Sequence, residues 1–169
     1  MITRICLVRH GETAWNAERR LQGHIDISLN ETGLAQANAT AMNLTGQRFA
    51  AAYVSDLLRA RQTADAIAKR CAVVPNIDVR LRERHYGSFQ ALTYDEARQR
   101  FPQDYAHFEK RTPDYVFPGG GESLRQFSAR IHAVLHDIAE SHRGDIVLVV
   151  THGGVLDIAH RLATGKPLD

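Results

Sequence analysis

The sequence predicts an α/β protein, a three-layer α/β/α sandwich whose mostly parallel central sheet carries helices on both faces. Three observations support this prediction. Apolar runs of strand length alternate with longer amphipathic or alanine-rich stretches of helix length. The run Ile146–Val150 is apolar without interruption, as in a strand that is buried on both faces. The chain has 169 residues, which favours a single domain over residues 1–169 with its own core.

Five elements follow one another in the first half of the chain. They are the strand Thr3–Val8, the helix Thr32–Leu44, the strand Ala51–Val54, the helix Leu57–Lys69 and the strand Ile77–Leu81. Gly11 follows the first strand and Gly46 follows the first helix, and glycine commonly punctuates such elements. The last strand alternates apolar and polar residues, which is typical of a half-buried strand.

Two helices in the second half of the chain are predicted from the residues at their N-termini. The pairs with capping-box spacing, three residues apart, are Thr93 with Glu96 and Ser123 with Gln126. The second pair opens a long amphipathic helix that ends before Gly144. The strand Ile146–Val150 and a helix over Val155–Leu162 complete the alternation, and this alternation favours parallel strands.

The composition excludes several classes of protein. Charged residues make up 24% and hydrophobic residues 44% of the chain, which is ordinary for a folded domain and excludes disorder. A net charge of +2 is too small to indicate a nucleic-acid partner. We expect no membrane partner, because no apolar run approaches membrane-spanning length, and no signal peptide, because charges interrupt the apolar stretch at the N-terminus. With only Cys6 and Cys71 the chain has no disulfide framework, so we expect a cytoplasmic location. We separately expect a monomer or a homodimer.

Two of the nine histidines lie at the carboxyl ends of predicted strands. His10 comes after Thr3–Val8, and His152 comes after Ile146–Val150. Each is followed by glycine, Gly11 or Gly153, and glycine lets a ligand approach the main chain closely. Ligands of open α/β sheets bind beyond the carboxyl ends of the strands, although glycine is equally typical of an ordinary strand-end turn.

Charged residues follow the same strand ends. Arg9 precedes His10, Arg59 lies just after the strand Ala51–Val54, and Glu83 lies just after the predicted strand Ile77–Leu81. Arginine forks suit phosphate oxygens, and a carboxyl group can donate or accept a proton. This combination of arginine, histidine and glutamate predicts a phosphate site around a reactive imidazole.

The motifs that contain these residues resemble those of the histidine phosphatase superfamily, the phosphoglycerate mutase-like enzymes. The matching segments are Leu7–Thr13, Gln22–Gly23, Ser55–Thr63, Leu81–Gly87, Gly121–Ser123 and Val150–Gly154. They occur in the family's order and cover most of the chain. The resemblance implies that His10 is the nucleophile that takes the phosphoryl group and that Glu83 is the general acid and base. It also implies that Arg9, Arg59 and His152 hold the phosphate.

This mechanism requires a low pKa for one group and a high pKa for another. His10 has to be neutral, and neighbouring cations lower the pKa of an imidazole. Glu83 has to hold a proton, which cationic neighbours such as Arg82 and Arg84 would oppose. Burial or the charge of the substrate therefore has to raise the pKa of Glu83.

Further residues are candidates for binding phosphate or substrate. They are Asn16, Gln22, Gly23, Tyr86, Gly153, Lys110 and Arg111. For Asn16 and Gln22 the alternative is a polar loop surface, and for Tyr86 it is packing. For the pair Lys110 and Arg111, the alternative is a solvated basic pair.

The family contains phosphatases and mutases, and the chain has features of both. The segment Glu83–Gly87 and the basic pair at Lys110 are closest to the bisphosphoglycerate-dependent mutases. The short connection to Gly121 resembles the phosphatases instead, although Phe89–Ala91 departs from their Trp-Glu-Gly. A short segment over the active site leaves the phosphohistidine accessible to water. We therefore expect a metal-independent phosphatase that acts on a small phosphorylated metabolite without a cofactor.

Three alternatives remain open at this stage. A mutase would use bisphosphoglycerate as its cofactor, and a phospholigand-binding module would have no turnover. A metal hydrolase is the third alternative: His132 and His136 have a spacing that can bind metal, but a solvated helix face is the simpler interpretation and we expect no metal. His24, His107, His142 and His160 are expected to be surface or structural residues, whereas for His85 binding and packing are equally open.

The end of the sequence bears on the extent of the domain. Members of this family usually continue for a few tens of residues past the helix Val155–Leu162. We therefore expect either a compact member of the family or a domain that lacks a C-terminal strand or tail.

Overall fold

A parallel four-stranded sheet forms the centre of the protein. A computed structural model describes residues 1–169. The strands are β1 (Arg4–Arg9), β2 (Ala51–Val54), β3 (Pro75–Ile77) and β4 (Ile146–Thr151). Their order in the sheet is β1-β4-β2-β3, and every neighbouring pair is parallel. The predicted fold class is thereby confirmed.

Seven α-helices surround this sheet. They are α1 (Ala14–Ala17), α2 (Glu31–Asn43), α3 (Leu58–Cys71), α4 (Tyr94–Arg100), α5 (Pro102–Glu109), α6 (Leu124–Ser141) and α7 (Gly153–Thr164). Helix α3 packs on one face of the sheet with α2 against it, and α6 and α7 cover the other face. Helices α4 and α5 pack on each other around an aromatic cluster of their own. None of the helices is both long enough and apolar enough to span a membrane.

The central strand β4 is buried on both faces, which explains its unbroken apolar sequence. Leu148 and Val150 face α3, whereas Val147 and Val149 face α6. All four side chains are fully buried. Since successive side chains of a strand point to opposite faces, a strand covered on both sides needs apolar residues at every position.

Most predicted elements are confirmed to within one or two residues, but the strand Ile77–Leu81 is wrong. Strand β3 ends at Ile77, and Val79–Leu81 forms a 3₁₀ turn. The side chain of Asp78 accepts a hydrogen bond from the Arg80 N–H at 2.9 Å, which caps this turn. Glu83 is therefore carried by a loop and does not directly follow a strand. Helices α1 and α5 were not predicted.

The pairing of β1 with β4 places the two strand-end histidines together. Arg9 pairs with Thr151 at the end of the ladder, and the His10 N–H donates to the Thr151 carbonyl at 2.9 Å. Beyond this point the backbone passes very close to α2, because a Cβ on Gly11 would lie 2.3 Å from the carbonyl oxygen of Gly33. Only glycine allows this approach, which fixes the loop that carries His10.

Candidate active site

A polar cavity of about 240 Å³ lies beyond the carboxyl ends of β1, β2 and β4. The predicted site residues that line it are Arg9, His10, Asn16, Gln22, Gly23, Arg59, Glu83, Tyr86 and Gly153. His152 lies fully buried beside it, with its ring centroid 5.1 Å from that of His10. Residues brought together from six separate parts of the sequence thus share one cavity.

The His10 ring is held in one orientation by its own backbone neighbour. Its Nδ1 lies 2.7 Å from the carbonyl oxygen of Gly11, which can only accept a hydrogen bond. Nδ1 therefore carries the proton, and Nε2 keeps its lone pair. Burial lowers the pKa of His10 to about 3, and the charges of Arg59 and Arg9 act in the same direction. The ring is accordingly neutral at neutral pH.

Ser55 sets the tautomer of His152. Its hydroxyl lies 2.8 Å from Nε2 of His152, and its other partner is the Leu57 N–H, which can only donate. Since His152 Nε2 is the only acceptor within reach of the Ser55 hydroxyl proton, that proton goes to Nε2, and Nδ1 of the neutral ring carries the N–H. Burial holds the pKa of His152 well below its ordinary value, with the charge of Arg59 contributing. His152 is thus a neutral hydrogen-bond donor through Nδ1.

Arg59 anchors the loop that carries Gly23. Its Nη2 donates to the Gly23 carbonyl at 2.8 Å and its Nη1 to the Ile25 carbonyl at 2.9 Å. Gly23 has a φ of +53°, which strains a residue with a side chain, and a Cβ there would lie 2.1 Å from Gln90 Oε1 and displace the Gln90 side chain. Burial lowers the pKa of Arg59 to about 10, which leaves the guanidinium charged at neutral pH.

Three buried side-chain atoms in the protein lack a hydrogen-bond partner, and all three belong to this site. They are Gln22 Oε1, Arg59 Nε and His152 Nδ1. Buried polar atoms are almost always paired in folded proteins, so a group of unpaired ones in one cavity indicates a ligand with complementary oxygens and protons.

Arg9 and Asn16 add hydrogen-bond donors to the cavity wall. The Arg9 side chain is exposed and forms no ion pair, and its guanidinium lies beside Gly153. Asn16 uses its Oδ1 to accept from the N–H and hydroxyl of Thr13, which leaves its amide N–H₂ group available to a ligand.

Glu83 is held by backbone N–H groups on both carboxylate oxygens. The Arg84 N–H donates to Oε1 and the Gly154 N–H donates to Oε2, each at 2.9 Å. Glu83 is partly exposed at the cavity wall. Burial nevertheless raises its pKa, although the charges of Arg59 and Arg9 act to lower it. Burial thus supplies the upward shift that the sequence argument required. The Arg82 guanidinium, expected to oppose it, is instead paired with Asp56 at 2.5 Å.

Sequence reasoning missed several contributors to this site. Gly154 is one, because a Cβ there would lie 2.2 Å from Glu83 Oε1. His24 is another: it was expected to be a surface or structural residue, but its Nε2 lies 2.8 Å from the carbonyl oxygen of Glu83. Arg20, Leu21 and Tyr94 also line the cavity.

The structure separates the basic pair that was predicted to contact substrate. Lys110 is exposed and lines neither the site cavity nor the neighbouring one, so its predicted contact is not found. Arg111 has a φ of +53°, which turns the chain at the end of α5 toward α7. Its Nη2 donates to Asp157 at 2.7 Å, and its Nε donates to the Leu168 carbonyl at 2.8 Å.

The other histidines lie outside the cavity. His132 and His136 are exposed on α6, in agreement with a solvated helix face. His107 and His160 are exposed as well, and His142 contacts the Tyr53 hydroxyl. The protein has no group of three or more His, Cys, Asp or Glu side chains with the arrangement of a metal site.

Comparison with known proteins places this geometry in a family. The family described as "Histidine phosphatase superfamily (branch 1)" matches residues 5–169. The chain is 49% identical to "Metal-independent phosphoserine phosphatase" and 46% identical to "Phosphoglycerate mutase-like protein 4", both from Arabidopsis thaliana. These matches cover 92% and 90% of this chain, and 66% and 67% of the two relatives. The chain thus spans about two thirds of the length of these relatives.

Solved structures give the same result. "Bacillus stearothermophilus YhfR" superposes with a TM-score of 0.92 at 37% identity, over 99% of this chain and 82% of that one. A mycobacterial glucosyl-3-phosphoglycerate phosphatase superposes with a TM-score of 0.84 at 31% identity, over 96% and 79%. The resemblance inferred from the motifs is confirmed, and the chain belongs to branch 1 of the histidine phosphatase superfamily.

Proposed function

We propose that this protein is a metal-independent phosphomonoesterase that transfers the phosphoryl group to His10 and then to water. The observation that carries the proposal is the pair of unpaired buried donors, Arg59 Nε and His152 Nδ1. The cavity also holds a neutral imidazole and three arginines, of which Arg9 and Arg59 form no ion pair, and this set complements a phosphate dianion. The family match and the phosphatase relatives support the same activity.

The first step transfers the phosphoryl group to the protein. The Nε2 lone pair of His10 attacks phosphorus, and the bond from phosphorus to the ester oxygen breaks. The protonated carboxyl of Glu83 gives its proton to the departing alkoxide, which leaves as an alcohol. The guanidinium groups of Arg9 and Arg59 and the Nδ1–H of His152 stabilise the charge on the transferring oxygens.

The second step returns His10 to its starting form. The Glu83 carboxylate takes a proton from water, and the water oxygen attacks phosphorus as the bond to Nε2 breaks. Phosphate leaves, the imidazole is neutral again, and Glu83 has regained its proton. No step requires a metal, which agrees with the metal independence stated in the name of the phosphoserine phosphatase relative.

The substrate class follows from the size and polarity of the cavity and from the relatives. A cavity of about 240 Å³ accepts a phosphoryl group and a small part of its alcohol. Two relatives are named for phosphoserine and glucosyl-3-phosphoglycerate, which are both small phosphate esters. We therefore infer a small phosphorylated metabolite as substrate.

A mutase is the second candidate function. It is favoured by two relatives, "Phosphoglycerate mutase-like protein 4" and "Probable phosphoglycerate mutase GpmB" from Yersinia pestis, which is 36% identical over 96% of this chain. A mutase would interconvert 2- and 3-phosphoglycerate and respond to bisphosphoglycerate. A coupled assay without such stimulation eliminates this candidate.

A panel of phosphorylated metabolites with free phosphate as the readout tests the phosphatase. We expect release of phosphate from several small esters, and the rates should be unchanged after exhaustive treatment with EDTA, because arginine charges and histidine hydrogen bonds and lone pairs do the chemistry. A loss of activity in EDTA that added metal restores would overturn the proposal. If the protein were only a phospholigand-binding module, no ester would be hydrolysed and rapid quenching would trap no phosphoenzyme.

The pKa shifts predict how the rate depends on pH. His10 has a pKa of about 3, so we expect no loss of phosphoenzyme formation from its protonation as the pH falls from about 7 to about 5. Since the pKa of Glu83 is raised, the acid form persists to higher pH, and the rate falls as the pH rises through that pKa. Single-turnover rates at saturating alkyl phosphate, measured across this range, test both limbs. The alkaline limb should disappear in Glu83→Gln.

A further inference from the structure

Arg130 on α6 uses all of its hydrogen-bond donors within the protein. Its Nη1 donates to the carbonyls of Arg80 and Arg82 at 2.7 and 2.9 Å. Its Nη2 donates to the Glu83 carbonyl at 3.2 Å and to Glu122 Oε2 at 2.6 Å, and its Nε donates to Glu122 Oε1 at 2.8 Å. These five hydrogen bonds use the five N–H groups of a guanidinium, and three of them go to the segment that leads into Glu83.

The segment that leads into Glu83 has no regular backbone partner. Strand β3 ends at Ile77, and Val79–Leu81 forms a single 3₁₀ turn. None of the three carbonyls that Arg130 binds accepts a hydrogen bond from a backbone N–H. In a sheet or a longer helix, neighbouring backbone would satisfy these carbonyls. Here Arg130 satisfies them from α6, so the path of this segment depends on one side chain.

Glu122 extends the same support to the other side of Glu83. Its Oε2 accepts from the His85 N–H at 2.9 Å, and its own N–H donates to the His85 carbonyl at 2.8 Å. The side chains of Arg130 and Glu122 are only 20% and 21% exposed, and the guanidinium lies 5.0 Å from the ring centroid of Phe127. This ion pair therefore holds the backbone both before and after Glu83.

Arg130 acts from outside the site. It lines neither the site cavity nor the neighbouring one, so it does not contact the phosphoryl group or the alcohol. Two other contacts hold the same segment: the Thr151 hydroxyl donates to the Leu81 carbonyl at 2.7 Å, and His24 Nε2 lies 2.8 Å from the Glu83 carbonyl oxygen. Loss of Arg130 should therefore loosen the segment without releasing it.

The geometry of proton transfer makes such loosening costly. A general acid has to lie within about 2.6–3.2 Å of the atom that takes its proton, and a displacement of about 1 Å can cost about 10²-fold in rate. We propose that Arg130, together with Glu122, is a positioning residue that holds Glu83 at proton-transfer distance from the ester oxygen. This inference rests on the proposed function, since it concerns the proton that Glu83 gives to the leaving alcohol.

The leaving group of the substrate provides the test. Arg130→Met removes the N–H donors and keeps an unbranched apolar side chain. Formation of phosphoenzyme in a single turnover is measured with an alkyl ester that the wild-type protein hydrolyses and with 4-nitrophenyl phosphate. We expect a loss of about 10- to 100-fold with the alkyl ester and of less than about 3-fold with 4-nitrophenyl phosphate, because 4-nitrophenolate leaves without a proton.

Arg130→Lys is the conservative variant. Lysine keeps the positive charge and three N–H donors but lacks the planar fork. We therefore expect it to recover part of the rate with the alkyl ester. If Arg130→Met does not fold, as judged by a thermal melt, Arg130→Lys provides the same comparison of the two esters with a smaller expected difference.

A double variant separates positioning from a general disturbance of the fold. Glutamine at position 83 has no proton to give, so Arg130→Met added to Glu83→Gln should lower the rate by less than about 2-fold more. Arg125→Met is the matched control. Arg125 also lies on α6, pairs with the carboxylate of Asp114 and lines neither cavity, so both rates should be unchanged.

The possible outcomes distinguish this inference from the proposed function. An equal loss for both esters in a folded Arg130 variant overturns the inference, as does an undiminished loss when Arg130→Met is added to Glu83→Gln. In either case the proposed function stands, because the wild-type protein still forms phosphoenzyme. If the wild-type protein forms no phosphoenzyme from any ester, the proposed function fails and the inference fails with it.

Discussion

Replacement of His10 by alanine is expected to lower kcat/KM for every substrate by at least about 10⁴-fold. The neutral imidazole supplies the lone pair that forms the bond to phosphorus, and no other nucleophile occupies its place. The arginines stabilise the charge on the transferring oxygens, and this stabilisation gives no rate enhancement when the bond to phosphorus cannot form. The loss should therefore appear equally with good and with poor leaving groups.

Labelled phosphoenzyme provides the direct measurement. After a rapid quench, the wild-type protein should carry a label that survives alkali and is lost in acid, and His10→Ala should carry none. His132→Ala is the matched control, since His132 is exposed on α6 and lines no site cavity. A thermal melt confirms that the variant is folded. Retention of label on a folded His10→Ala protein would show that another residue accepts the phosphoryl group.

Replacement of Glu83 by glutamine is expected to lower the rate of phosphoenzyme formation from alkyl phosphates by about 10²- to 10³-fold. Glutamine has nearly the same shape, but it holds no transferable proton. An alkoxide is a poor leaving group without that proton, whereas 4-nitrophenolate leaves readily without it. We therefore expect a much smaller loss of this first step with 4-nitrophenyl phosphate.

The dependence on the leaving group separates proton donation from positioning. If Glu83 only holds the Gly154 and Arg84 N–H groups in place, both substrate types should lose the same factor in Glu83→Gln. The exposed Glu140 at the end of α6 offers the control Glu140→Gln, for which no change is expected. Single-turnover measurement isolates the first step, because hydrolysis of phosphohistidine also uses Glu83.

Much of the site could be predicted because it depends on strand ends and on short motifs. Parallel strands deliver their carboxyl ends to one edge, so His10 and His152 could be brought together without knowledge of any side-chain contact. The strand order adds that β1 and β4 are direct neighbours, which accounts for the 5.1 Å between the two rings.

Other features depend on contacts that no local pattern encodes. Arg111 has a positive φ and pairs with Asp157 on α7, and neither feature is visible in a sequence pattern. The strand Ile77–Leu81 has the alternation of a strand, but the Asp78 side chain competes with the ladder for the backbone N–H of Arg80. The importance of Ser55 appears only when its hydroxyl is traced to His152.

The pairing of β1 with β4 also determines when the phosphate site comes into existence. The two strands stand near opposite ends of the sequence, so their contact closes a loop that contains most of the chain. Contacts between such distant segments raise the contact order and form slowly. In a ribosome-bound chain whose β4 has not yet emerged, His152 and Gly154 are still missing from the folding protein, and the end of β1 has no partner strand. Under the proposed function, a nascent chain is therefore inert toward phosphate esters until β4 and the start of α7 have emerged.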